Sequence, residues 1–142
     1  MTAASWLEPV LTAHLATTLA ACGLIWFVQV VHYPLFAKVP VDGFAAFHAR
    51  HVQRTGWIVI PLMLLEAGAA LGLLWLDDRV LLTRVGFALL AVAWLSTALL
   101  QVPCHERLRQ GFDASVVQRL VGTNWIRTVA WTARGGVALA LT

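Results

Sequence analysis

VLTAHLATTLAACGLIWFVQVVHYPLFA (10–37) contains no Asp, Glu, Lys or Arg. A helix needs about 20 mostly apolar residues to cross the ~30 Å hydrocarbon core of a bilayer, so this run is long enough to span one. The same test succeeds three more times further along. Glu66 is the only charge in 56–76, none falls in 85–104, and Arg127 and Arg134 are the only ones in 120–142. The pattern predicts an all-α, integral membrane, up-down four-helix bundle in one domain, 1–142. Its spans fall at roughly 10–36, 56–76, 80–102 and 118–141. An amphipathic helix at roughly 43–55, carrying Phe44, Phe47, His48 and His51, leads into the second span.

Composition agrees. Apolar residues make up 60% of the chain and charged ones 12%, where a soluble domain carries about 25% charged residues. Much of the surface therefore faces something other than water, and membrane lipid is the first partner expected. The net charge of +3 reads as basic loops against anionic lipid, with no nucleic acid implied. No basic region precedes the first apolar run, where Glu8 stands instead, so that run reads as a retained span and not a signal peptide. Cys22 and Cys104 lie on different spans, no CxxC pair occurs, and no disulfide is expected.

Local signals set the expected boundaries. Pro34 should end the first helix. Asp42 and Asp113 should cap the helices that follow them. Pro61 should kink the second span. Asp77-Asp78-Arg79 should form a tight turn, the third helix should stop near Pro103, and 104–112 should be a polar loop. Short loops leave Lys38, Arg50, Arg54, Arg107, Arg109 and Arg119 at one end of the bundle and Arg79 and Arg84 at the other. The excess of positive charge puts the first end in the cytoplasm. Both termini are then periplasmic, and the setting is a bacterial inner membrane.

The same topology brings polar residues to the cytoplasmic end. Four of the five histidines, His32, His48, His51 and His105, belong there, with Arg54, Thr55, Gln101, Asn124, Arg127 and Thr128. His48, His51 and Thr55 share one helical face, and so do Asn124, Arg127, Trp131 and Arg134. A charge on the lipid face costs about 2.5 kcal/mol or more, so these stripes turn inward. His32, His48, His51, His105, Asn124 and Arg127 are the candidate ligand- or cofactor-binding residues. His48, His51 and His32 are a candidate metal set, with His105 as the alternative third ligand, because imidazoles ligate haem iron and transition metals. Asn124 and Arg127 suit an anionic or carbonyl-bearing ligand such as a quinone or a propionate. In the other half of the bundle, Glu66 and Arg134 are expected at similar depth as a buried ion pair, with His14 level with them. No phosphate-binding glycine loop, nucleophile elbow or HExxH motif is present.

Four strings carry a resemblance: VHYPLF (31–36), FHARHVQR (47–54), QVPCHERL (101–108) and TNWIRT (123–128). They resemble those of a family of small bacterial four-helix integral membrane proteins of unassigned activity, and the likeness covers most of the chain. It implies the four-helix topology. The chain is also similar, more distantly, to the small four-helix membrane protoporphyrinogen oxidases in size, in a first-span histidine followed by Pro-Leu-Phe, and in an asparagine early in the last helix. It departs from them in lacking an intramembrane lysine, since its only lysine is Lys38.

Three functions fit these features. Short loops and tryptophans on outer faces, Trp26 and Trp94, fit an accessory or structural subunit of a larger respiratory or photosynthetic membrane complex, packed against other membrane subunits. The histidine cluster fits a haem- or metal-binding membrane oxidoreductase. Glu66, Arg134 and His14 fit a small proton-coupled transporter.

Overall fold

The computed structural model describes residues 3–142, with side chains from Ser5 onward. The described chain is helical with no strands, and its helices assemble into four rods. The first rod is α1 (Ala3–Phe27), a π-helical turn Val28–His32, α2 (Tyr33–Leu35) and a 3-10 turn Phe36–Lys38. The second is the single helix α3 (Val41–Leu76). The third is α4 (Val80–Ser96), a π-helical turn Thr97–Gln101 and α5 (Val102–Leu108). The fourth is α6 (Ala114–Ala140). Residues 39–40, 77–79 and 109–113 join them, and joints this short force neighbouring rods to run antiparallel. Helix α6 packs against both α1 and α4, and α1 packs against α3.

Three of the four rods, Ser5–Lys38, Val41–Leu76 and Val80–Leu108, are long and apolar enough to cross a membrane. The fourth, which carries Arg119, Arg127 and Arg134, is not among them. The radial distribution of side chains is the reverse of that in a water-soluble bundle. Leu65, Leu81 and Trp75 point outward, Trp75 with 89% of its surface exposed. His48, Glu66, Asn124 and Arg134 are sealed inside. Large exposed apolar surface around a buried polar interior is expensive in water and natural in lipid.

Two of the expected helix ends are not ends. The first rod continues past Pro34 to Lys38 and the third past Pro103 to Leu108. In each case a π-helical turn ends just before the proline. The Tyr33 N–H donates to the Val28 carbonyl, and the Val102 N–H to that of Thr97. The extra residue in the turn shifts the ladder, so each proline falls in the first turn of a restarted α-helix, where its missing N–H costs nothing. The region expected to be a polar loop, 104–112, is therefore helical as far as Leu108, held by the buried side chains of Cys104 and Leu108.

Capping splits in the same way. Asp113 caps α6, accepting from the backbone N–H of Ser115 at 2.8 Å and of Val116 at 3.1 Å. Asp42 does not cap α3, whose N-cap is Pro40 without a side-chain bond. Extended Pro40 already sets the chain's entry, and Asp42 lies within the first turn, where its charge still favours the helix N-terminus. Helix α3 runs through Pro61 as one element. At the turn after it, Asp77 accepts from the Arg79 backbone N–H at 2.8 Å and from its guanidinium at 2.9 Å. These bonds hold the Asp77 carboxyl below its ordinary range.

Candidate functional site

Two polar clusters lie inside the bundle, and α6 supplies an arginine to each. The deeper one surrounds Arg134, whose side chain is fully buried, as is that of Glu66. The Arg134 Nε donates to Glu66 Oε1 at 2.8 Å. Its Nη1 donates to the Gly86 carbonyl, and its Nη2 lies 3.0 Å from His14 Nε2. The Trp131 indole N–H donates to both Glu66 oxygens, at 3.0 and 3.2 Å. Glu66, Arg134 and His14 are thus together, and nearly every donor in the group has an acceptor.

The second cluster gathers at the end of the bundle where the two π turns lie. The ends of the first and third rods place His32, Tyr33 and His105 against the start of α3, which presents His48 and His51. The four histidines meet as two pairs. His32 Nε2 lies 2.7 Å from His51 Nδ1, which is also 3.1 Å from Thr55 Oγ1. His48 Nε2 lies 3.0 Å from His105 Nδ1, and the other nitrogen of His105 is 3.1 Å from the Tyr33 hydroxyl. Phe44 stacks on His48 at 5.8 Å, and Phe36 packs edge-on against it.

This arrangement bears on the candidate metal set His48, His51 and His32. Among the described residues, no group of three or more His, Cys, Asp or Glu side chains is placed to hold a metal ion. His32 and His51 turn their nitrogens onto each other, whereas His48 turns to His105, so His48, His51 and His32 do not share a centre.

A cavity of about 350 Å³ opens beside the cluster, between α1, α3, the third rod and α6. Most of its wall is apolar, including Ile25, Val59 and Met63. Its polar side includes Tyr33, His51, His105, Thr55 and Arg127, with Gln101 and Arg109 also on the wall. Arg127 is only 7% exposed. Its guanidinium lies 5.3 Å over the Trp131 ring and beside the Tyr33 hydroxyl. No carboxylate pairs with it among the described residues. Glu106, which also borders the cavity, turns to Arg109 at 3.6 Å. The Arg127 Nε is buried without a hydrogen-bond partner.

Asn124, expected beside Arg127, belongs elsewhere. It donates to Gln29 Oε1 at 2.8 Å, and Gln29 in turn donates to the Val121 carbonyl at 3.2 Å. Gln101 likewise donates to Thr123 at 3.1 Å and accepts from Ser96. Each π turn therefore carries a buried glutamine that ties its rod to α6. Tyr33 and Gln29 escaped the sequence reading as site residues. The available signals were that Tyr33 is the only tyrosine and that Gln29 is an isolated amide within an uncharged run.

No protein-family model, curated protein or solved structure matches this chain.

Proposed function

We propose that the chain is a multi-pass membrane protein that binds a small, largely apolar, oxygen-bearing molecule in the cavity beside its histidine cluster. In this reading all four rods cross the bilayer, the cluster is on the cytoplasmic side and both termini are outside. The observation that carries it is Arg127. A guanidinium buried in a bundle is stable only if something balances it. Arg134 has Glu66, while Arg127 has an aromatic face, a hydroxyl and an open cavity. A carbonyl, phenolate or carboxylate oxygen in that cavity supplies the missing acceptor, and the apolar wall takes the rest of the molecule. A volume of about 350 Å³ lies within the ~300–1,000 Å³ range of small-molecule sites.

The surrounding groups add proton chemistry. Imidazoles and a phenol linked by short hydrogen bonds can give or take a proton at the bound oxygen. A quinone-like molecule fits such a site, which makes a membrane oxidoreductase the favoured activity. The test is equilibrium dialysis of the detergent-purified protein against tetramethyl-1,4-benzoquinone, whose ring has no open position for thiol addition. Saturable binding that weakens about tenfold or more in Arg127→Gln is expected. Binding equal in the two proteins, or only non-saturable partition, overturns the reading. If a stoichiometric protein partner co-purifies while ligand uptake is absent, the accessory-subunit alternative replaces it.

A further inference from the structure

The hydrogen-bond chain behind the cavity fixes which way its protons point, and that selects the ligand. The chain runs His48–His105–Tyr33, and its far end is sealed. His48 is fully buried under Phe44, and its Nδ1 has no partner. A neutral imidazole carries one N–H and one lone pair. If Nδ1 held the proton, a donor would be stranded in the interior. Unpaired buried N–H groups are rarer than under-satisfied acceptors. The proton therefore sits on Nε2, and His48 donates to His105 Nδ1. That leaves the His105 proton on Nε2, donating to the Tyr33 oxygen. The Tyr33 hydroxyl hydrogen then has nowhere to go but away from His105.

Arg127 is consistent with the same direction. A guanidinium has no acceptor atom, so any contact it makes with the Tyr33 hydroxyl can only donate to the phenol oxygen. With that oxygen accepting from one or both neighbours, its own hydrogen is released toward the cavity that Tyr33 and Arg127 both line.

We propose that Tyr33 and Arg127 form a donor-only oxygen-binding pair, held in that state by His105 and His48, so that the ligand's head is a carbonyl or oxyanion and not a hydroxyl. This rests on the ligand-binding reading above and deepens it. Tyr33 and Arg127 touch the ligand oxygen, while His105 and His48 act as positioning residues. An alcohol or phenol at the same place can accept from Tyr33 but finds no acceptor in this pair for its own O–H. A buried polar group without a partner is the strongest basis for discrimination between similar ligands.

The experiment uses three probes on one rigid skeleton: 9-fluorenone, 9-fluorenol and fluorene, which bear a carbonyl, a hydroxyl and no oxygen. Dialysis against the purified protein should rank fluorenone first, about tenfold tighter than fluorenol. The carbonyl stretch of bound fluorenone should fall below its value in detergent alone. Tyr33→Phe keeps the ring, and thermal unfolding checks its fold. It should lose part of that downshift and most of the preference over fluorenol. His48→Phe, outside the cavity wall, should weaken the downshift without removing the fluorenone site. If fluorenol binds as tightly as fluorenone, or Tyr33→Phe leaves the carbonyl stretch unmoved, the donor-only pair is wrong while the cavity reading survives. If no probe binds the wild type, both fall together.

Discussion

Arg127 and Arg134 stand on one face of α6, two turns apart, with Trp131 between them. Both are buried, yet their surroundings are opposite. Arg134 is enclosed by Glu66, His14 and the Gly86 carbonyl. Arg127 faces a cavity, with an unpartnered Nε and, among the described residues, no carboxylate paired with it. Trp131 divides its chemistry between them, giving its N–H to Glu66 and its π face to Arg127. The contrast separates two uses of a costly residue. A saturated arginine joins helices, whereas an unsaturated one leaves a donor without an acceptor.

The largest effect should come from breaking the saturated one. Glu66→Leu leaves Arg134 charged and buried, a loss of about 3–5 kcal/mol. Titration of the folded protein with a denaturing detergent, followed by circular dichroism, reads it. The double variant Glu66→Leu/Arg134→Met should recover most of the loss, because apolar replacement of a whole buried pair is often neutral. A double variant as unstable as the single one would show that Arg134 has a role beyond pairing. Next in size is His14→Leu, which strips one acceptor from Arg134 and makes it more like Arg127. It should cost about 1–3 kcal/mol by the same measurement.

Arg127→Leu should behave in the other way. It removes a charge that has no ionic partner and a cation–π contact of about 0.5–1 kcal/mol. Stability should change by about 1 kcal/mol at most in either direction, while quinone binding disappears. A destabilisation as large as that of Glu66→Leu would mean that Arg127 is structural after all.

Three of the rods are legible because lipid demands long, nearly uncharged apolar runs such as 10–37, whereas the fourth carries Arg119, Arg127 and Arg134. Glu66 and Arg134 could be brought to one depth by counting helical rise. The two prolines misled because a proline forbids one hydrogen bond, not a helix, and a π turn one step earlier removes the conflict. Asn124 and Arg127 share a face at the resolution of i, i+3 spacing. That spacing still separates them by about 60° around the axis, enough to aim one at Gln29 and the other at the cavity. The histidine pairing was invisible because residue spacing gives the helix face but not the rotamer. Two imidazoles on neighbouring rods choose partners only when the π turns have set the rods' rotation.

The smallest expected effect belongs to a third arginine, whose pair lies outside the spans. Arg79 holds Asp77 with a bidentate grip at 2.9–3.2 Å, but its own side chain is 38% exposed. Solvent screens it, so the pair contributes about 1 kcal/mol or less, unlike the sealed pair at Glu66. Its pH dependence follows from the direction of the shift. The folded Asp77 carboxyl titrates below its ordinary value of 3.8, held down chiefly by the Arg79 side-chain bond. Its contribution is therefore complete above that value and is lost as pH falls through the lower, folded one. Asp77→Asn should unfold at a slightly lower temperature than wild type at neutral pH. The two curves should converge as the pH is taken well below 3.8, because both proteins then carry a neutral side chain at the turn. A gap that persists in acid would show that the Asp77 side chain contributes through something other than its charge.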